Sequence, residues 1–327
     1  MKWKLLKLVT LIVLLPLHLL GQIDTEFWFA APDITSEYGQ APKNGAPISL
    51  HFTALYATTV TISRPADPTF APIQITLQDL EHKSIELSAI LPINQIETYP
   101  RALTDPTAFQ DKGFKITAYP GEISCYYELD NKLNKDIFPL KGTNGLGKEF
   151  FVSTQNNFVN GDYKGTAWSG FVIVATEDNT TITVELNDDL LHFVPHPATV
   201  TINLNAGQTY AFRALSTLPS RHINGVRVTS DNNIAITVYD DAMQKERNVG
   251  GTSWDLFGDQ IVPLDIVGTE YIVMKGFMVD APEDGGERIF VTATEDNTAI
   301  YIDNNPVPVA IINKGQVYSY AIMNQTT

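Results

Sequence analysis

The chain of 327 residues has a single cysteine, Cys125. No intrachain disulfide can form, which excludes a small disulfide-stapled scaffold, and no cysteine follows the N-terminal apolar run to accept a lipid. An exported chain of this size without disulfides suits a bacterial envelope or surface. Helical periodicity is nearly missing, apart from a short turn around Asp105 to Gln110. Positive charge is scarce: 22 Lys and Arg stand against 37 Asp and Glu, a net charge of −15, which argues against nucleic acid as a partner. Catalytic signatures are missing too. There is no Gly-x-Ser-x-Gly elbow, dinucleotide fingerprint or phosphate loop, since in "NGLGKEF" Glu149 follows Lys148 where a phosphate loop needs Ser or Thr.

What is present is ordinary globular material, with 44% hydrophobic and 10% aromatic residues. The chain opens "MKWKLLKLVTLIVLLPLHLLGQ", with Lys2, Lys4 and Lys7 ahead of an apolar run from Leu8 to Leu20. This reads as a cleaved secretory signal peptide over residues 1–21; the run is too short for a membrane span of about 20 apolar residues. Without those lysines, 19 basic residues face 37 acidic ones, so the mature chain carries −18.

The strongest feature is repetition. "ATEDNT" occurs at Ala175 and again at Ala293, 118 residues on. "GKEFFV" at Gly147 returns as "GTEYIV" at Gly268, "AGQTYAFRA" at Ala206 as "KGQVYSYAI" at Lys314, and "IFPL" at Ile137 as "IVPL" at Ile261. A more diverged copy comes first. There "DTEFWFA" from Asp24 matches "GKEFFVS", "YATTVTIS" from Tyr56 matches "EDNTTITV", and "GFKITAYPGEISCYY" from Gly113 matches "GVRVTSDNNIAITVY" from Gly225.

Most segments alternate apolar and polar residues and are rich in Val, Ile, Thr, Tyr and Phe, the pattern of half-buried strands. Cys125 alternates like a buried strand residue and is expected to be inert. Glu177, Asp178 and Asn179 are expected to close a hairpin between "FVIVAT" and "TITVEL"; Asp231 to Asn233, and Pro120 with Gly121, are expected to do the same in their segments. The expected fold is all-β, as tandem β-sandwich-like units of about 120 residues over 22–147, 148–267 and an incomplete 268–327. A β-propeller is the alternative. The short third unit suggests a fragment of a longer protein.

The Gly-x-Glu-aromatic opening, the "ATEDNTTITV" segment, "GVRVTSDNNIAITVYD" and "GDQIVPLDIVGTEYIV" together resemble the N-terminal domain of IgGFc-binding proteins, from about Glu26 to the end. The bacterial members it resembles are modules of large secreted or surface proteins of the Bacteroidetes, often followed by gliding-motility-associated or sorting domains. The resemblance implies a binding module and carries no catalytic residues. Immunoglobulin Fc is the ligand in the family name, which comes from a vertebrate mucosal protein.

Local chemistry is thin. Asp240 and Asp241 end a strand, where adjacent side chains point to opposite faces, and read as solvated; Glu283 and Asp284 form the other acidic pair. No cofactor is expected. Calcium is the cation that acidic loops would take, with Glu177, Asp178 and Asn179 or Asp188 and Asp189 as oxygen donors, but no run has the calcium-loop spacing. His192 and His196 are flanked by Pro195 and Pro197, which forbid the helix that would converge them on zinc. Two Gly-rich stretches, "NNFVNGDYKGTAWSG" and "DAMQKERNVGGTSWDLFGDQ", supply Tyr163, Trp168, Trp254 and Phe257 as candidate contacts for a protein or glycan. The expectation is an exported, non-enzymatic surface or adhesion module, of unspecified oligomeric state. A structural spacer for a domain beyond Thr327 and a hydrolase using acidic residues are the alternatives.

Overall fold

The computed structural model describes residues 22–34, 47–130, 134–161, 167–244, 255–276 and 287–322. The segment read as a signal peptide therefore lies outside the described residues, as do Tyr163, Trp254, Glu283 and Asp284. The fold is all-β, with short 3-10 turns and, among the described residues, one four-residue helix, Ile93–Ile96. No described helix is long and apolar enough to cross a membrane.

The first repeat contributes β1 (Ile23–Asp24), β2 (Glu26–Phe29), β3 (Ala31–Pro32), β4 (Ile48–Ala54), β5 (Thr58–Ser63), β6 (Ile73–Leu77), β7 (His82–Glu86), β8 (Glu97–Thr98), β9 (Phe114–Tyr119), β10 (Ile123–Leu129) and β11 (Asp136–Pro139). They form one sheet in the order β1-β10-β4-β7, with β11 also on β10, a second in the order β2-β9-β5-β6, and a short parallel pair β3-β8. Strand β10 shows why the alternating sequence folds this way: Ile123, Cys125, Tyr127 and Leu129 are buried while the residues between them are half-exposed. Cys125 is a free, buried thiol whose pKa burial pushes up, which keeps it inert as expected.

The second repeat contributes β12 (Gly147–Phe151), β13 (Val159–Asn160), β14 (Ser169–Ala175), β15 (Thr180–Glu185), β16 (Thr199–Leu204), β17 (Thr209–Arg213), β18 (Arg227–Gln244) and β19 (Asp255–Ile261). Its eight strands join in one folded sheet ordered β16-β15-β18-β14-β17, with β12, β13 and β19 also on β18. Every residue of β14 is buried. Phe171 and Ile173 face the second repeat's own core, where Phe171 stacks on Phe212 at 4.9 Å. Val172 and Val174 face a core built mostly by the first repeat. A strand covered on both faces has no solvent side to mark with polar residues, hence the unbroken "FVIVA".

The turns expected to close hairpins do something else. Strands β14 and β15 do not pair with each other: β14 runs against Ile234–Asp240 of β18 and β15 against Arg227–Ser230. Strand β12 pairs with Thr229, Val228 and Arg227 as well, so it occupies the opposite edge of β18 there. The chain thus keeps its heading through Glu177–Asn179 while the folded sheet turns, and β18 turns with it at Asp231–Asn233. These are sheet corners, of the kind that carry strands from one packed layer to another. The first repeat has the same corners, where β4 and β5 run in succession along β10 and β9, past Pro120 and Gly121. Register also moves one sequence correspondence: Thr58 opens β5 opposite Leu77 as Thr180 opens β15 opposite Leu204, so Thr58 and not Thr59 is the counterpart of Thr180.

The repeated hexapeptide builds this corner twice with the same bonds. Asn179 and Asn297 hold left-handed backbone at φ 57° and 58°. Thr180 and Thr298 each donate a hydroxyl to the carbonyl of Glu177 and Glu295, both at 2.8 Å. The carboxylates of Asp178 and Asp296 accept the backbone N–H of Ala206 and Lys314 at 3.0 and 3.2 Å. The side chains of Asn205 and Asn313 accept from Asn179 and Asn297 at 3.0 and 3.1 Å. Asp, Asn and Thr are required because each lends a short polar side chain to backbone groups that leave the ladder at the bend. Glu177 and Glu295 themselves are exposed and make no shared cleft.

The third repeat contributes β20 (Glu287–Thr292), β21 (Thr298–Ile300), β22 (Ala310–Ile312) and β23 (Val317–Ile322), paired β20-β23 and β21-β22. Thr292 lies opposite Val317 as Val174 lies opposite Thr209, and Thr298 opposite Ile312 as Thr180 opposite Leu204.

Candidate functional site

The N-terminal end of β14, the C-terminal ends of β17 and β18 and the start of β19 meet at one end of the second repeat. Ser169 pairs with Asp240, Asp240 with Phe257, and Gly170 with Arg213. Strand β13 ends here as well, pairing Asn160 with Met243, which in turn pairs with Asp255. Gly161 donates to the carbonyl of Ala242 at 2.8 Å, and Ala167 to Gly161 at 3.1 Å. The described residues flanking the two Gly-rich stretches, 161/167 and 244/255, are therefore neighbours, although they are about 90 residues apart in sequence.

Of the four candidate contact residues, Trp168 and Phe257 fall in the described part. Trp168 is half-buried, with the Arg213 guanidinium 4.4 Å from its ring centroid, a cation–π contact that fixes the indole. Phe257 is 38% exposed on β19. The pleat separates them: Phe257 shares its face with Ser169 and Asp240, whereas Arg213, opposite Gly170, projects with Trp168 from the other face. The two aromatics bracket the sheet end from opposite sides.

Beneath them the acidic pair is not solvated, as the sequence suggested, but fully buried. The strand does send the two side chains apart, as expected. Asp240 accepts from Gln155 at 2.9 Å and Asn160 at 2.6 Å and pairs with His222 Nδ1 at 2.9 Å. Burial pushes the His222 pKa down, the Asp240 carboxylate pushes it up, and the balance lies above the ordinary histidine value. Asp241 accepts from Asn134 of the first repeat at 2.5 Å. A strand end is solvated only when nothing packs on it; here both repeats do.

Facing Asp241 is a group the sequence did not single out. Glu97 on β8 is buried, takes a hydrogen bond from the Tyr99 hydroxyl at 3.3 Å, and has its pKa pushed well up by burial and then by Asp33. Burial lifts Asp33 to about 6 against the pull of Arg213 and Lys112, and burial lowers Lys112 to about 8. Lys112 donates to the Glu97 carbonyl at 2.5 Å and sits 4.6 Å over the Tyr99 ring. This charged seam joins the first repeat's Leu87–Gly113 crossover to β17, with Thr98 bonded to Thr209 at 3.0 Å and the Tyr210 hydroxyl to the Arg101 carbonyl at 2.7 Å. No local motif reveals it, because its members are spread along the chain from Asp33 through Glu97–Lys112 to Arg213 and Asp241. Its contacts tie the first repeat to β17 of the second.

The remaining candidates are used structurally. Asp188 pairs with Arg221 at 2.6 Å and Asp189 with His196 at 3.0 Å, while His192 is exposed with left-handed backbone. Among the described residues no group of three or more His, Cys, Asp or Glu side chains is placed to hold a metal ion.

A family model described as IgGFc binding protein matches residues 137–327. The chain belongs to that family. The match begins at β11 and leaves out most of the first repeat, a narrower span than the resemblance from Glu26, and that repeat departs most from the pattern, with Leu80 in the corner where the second has Gly207 and Asp79 accepting from Ala57 as Asn205 accepts from Asn179. No curated protein and no solved structure matches this IgGFc-binding family member.

Proposed function

We propose that this family member is an exported, non-enzymatic binding module that works outside the cell, with boundaries at 1–21 for the leader and 22–147, 148–267 and 268–327 for three β units. Its ligand is a protein or a glycan, taken at the sheet end that carries Trp168 and Phe257 together with the Tyr163 and Trp254 loops. One observation carries the reading: the described residues that flank two aromatic, Gly-rich stretches distant in sequence lie side by side at one end of the sheet. Rigid sheets presenting adaptable loops are the usual build of recognition surfaces, and Trp and Tyr are the side chains that dominate them. The family name makes immunoglobulin Fc the first protein to test. Residues 22–327 would be screened against Fc, other host proteins and a glycan array, with Trp168→Ala and Phe257→Ala as variants. A ligand that both variants lose at unchanged thermal stability supports the site. Binding untouched by either variant, or hydrolase activity without binding, rejects it.

A spacer reading has its own support. Gly113 meets Gly207 at the first junction between repeats, and their counterparts Gly225 and Gly315 meet at the second. A repeated junction is how linear arrays are built. A functional domain encoded after Thr327 would favour it.

A further inference from the structure

The outward face of the first repeat's sheet brings together two histidines that stand 31 residues apart in sequence, His51 and His82. Register aligns three rows across β10, β4 and β7: Ser124, Thr53 and His82; Tyr126, His51 and Ser84; Glu128, Ser49 and Glu86. In β4 and β10 these residues alternate with the buried ones, and in β7 they are the exposed ones, so the three rows share the solvent side. His51 and His82 thus occupy diagonal positions on neighbouring strands, within reach of each other. Nδ1 of His51 lies 3.3 Å from Nε2 of His82, with the rings 23° from parallel. His51 is held in place on two sides. Tyr126 stacks on its ring at 4.4 Å with 6° between the planes, and Glu128 Oε2 lies 2.6 Å from its buried Nε2, out of line for a hydrogen bond but close enough to favour the ring proton there. The lone pair of neutral His51 is then left at Nδ1, aimed at His82.

We propose that His51 and His82 chelate a zinc ion through Nδ1 and Nε2. Zinc bonds imidazole nitrogen at about 2.0–2.1 Å, so two ligands at the tetrahedral angle stand about 3.3–3.4 Å apart, whereas the right angle of octahedral coordination would need about 2.9 Å. The pair already has the tetrahedral spacing. Without metal, one ring donates its N–H to the other across this gap. On binding, the two nitrogens replace two waters of the ion, and the exposed His82 ring carries its proton on Nδ1 instead. A carboxylate behind a ligating imidazole, as Glu128 is behind His51, is the usual support for zinc. The surroundings favour a cation too: Glu128 and Glu86 share the face, while Lys83 is turned away to the Thr76 carbonyl and Glu81. Among the described residues no third His, Cys, Asp or Glu completes the group, so the affinity rests on two nitrogens and water fills the other positions. Imidazole donors select zinc over calcium or magnesium, which take oxygen.

The test uses residues 22–327 without a histidine tag and zinc chloride, read by calorimetry at neutral pH. Saturable one-to-one binding is expected, weakened at least about tenfold in His82→Gln and in His51→Gln, since each removes one of the two donors. Glu128→Gln should weaken it less, and calcium or magnesium should not compete. His196→Asn should bind zinc as the unmodified chain does, because His196 is engaged with Asp189 at another site. In nuclear magnetic resonance spectra zinc should shift the imidazole signals of His51 and His82 and leave those of His192 and His222 in place. Thermal melting reports whether each variant keeps its fold; His82 is exposed, so if His51→Gln does not fold, His82→Gln decides alone. Absence of saturable binding overturns the proposal, as does affinity that His82→Gln leaves unchanged or that His196→Asn abolishes.

Discussion

Gly113 donates its backbone N–H to the carbonyl of Gly207 at 3.0 Å, a bond that ties the start of β9 in the first repeat to the β16–β17 corner of the second. A Cβ at Gly113 would lie 2.6 Å from that carbonyl oxygen and 2.5 Å from a methyl of Val174. One contact is backbone and cannot turn aside. Gly113→Ala is therefore expected to destabilise the protein by about 1–3 kcal/mol, the usual cost of overpacking, and to lower the urea midpoint without changing the slope. An unchanged midpoint would mean that the junction adapts freely.

The corner asparagines give a second expectation. At φ 57° and 58°, Asn179 and Asn297 occupy backbone that most L-residues adopt only at a cost of about 1–2 kcal/mol. Asn179→Gly should be nearly neutral and Asn179→Val clearly destabilising by thermal melts. The same pair of changes at Asn297 should have a smaller effect on the main transition, because the third repeat buries little. Equal tolerance of glycine and valine would show that the backbone there is not what selects asparagine.

Asp240 offers a third. Asp240→Ala would leave Gln155, Asn160 and His222 without their common acceptor in a site closed to water. Breaking one member of a buried charged network typically costs about 3–5 kcal/mol, so the variant should be severely destabilised, and His222→Gln less so because no carboxylate loses its last partner. Reversed severity in chemical denaturation would show that His222, not Asp240, organises the network.

How much of this was legible in the sequence depends on how local each signal is. Alternation fixed the strands, and the copied "ATEDNT" pointed to repeated architecture, because both are written in neighbouring residues. Reading Glu177–Asn179 as a hairpin failed for a physical reason: the same Asp-Asn-Thr chemistry that closes a two-residue turn also bends a strand, and only the partner strand decides which. Neither the strand that carries Asp231–Asn233 nor the burial of Asp240 and Asp241 is stated locally. Glu97, Asp33 and Arg213 were invisible for the same reason, being scattered residues brought together where two repeats pack. Trp168 was legible as an aromatic in a Gly-rich stretch, but its fixation by Arg213 depends on the pairing of β14 with β17.

The pH dependence of stability follows from groups that move in one direction. His222 has a folded pKa above its ordinary value, so its contribution is fully present below about 6.5 and is lost as pH rises through the folded value. Burial raises Asp33 to about 6 and Asp136 to about 7. For these carboxyls the folded state holds its proton longer than the unfolded chain does, so stability falls between the ordinary value of 3.8 and the raised ones. Lys112 runs the other way only above about 8, where its lowered folded pKa makes stability climb toward the ordinary lysine range. The protein is therefore expected to unfold at lower urea at pH 7.5 than at pH 5.5. Asp136→Asn should flatten the decline between about 4 and 7, since the neutral amide keeps the shape without the ionisation, and His222→Gln should flatten the part above about 6.5. Urea midpoints measured from pH 4 to pH 8.5 for the three proteins check both assignments, and a midpoint that rises across this range in the unmodified chain would contradict them.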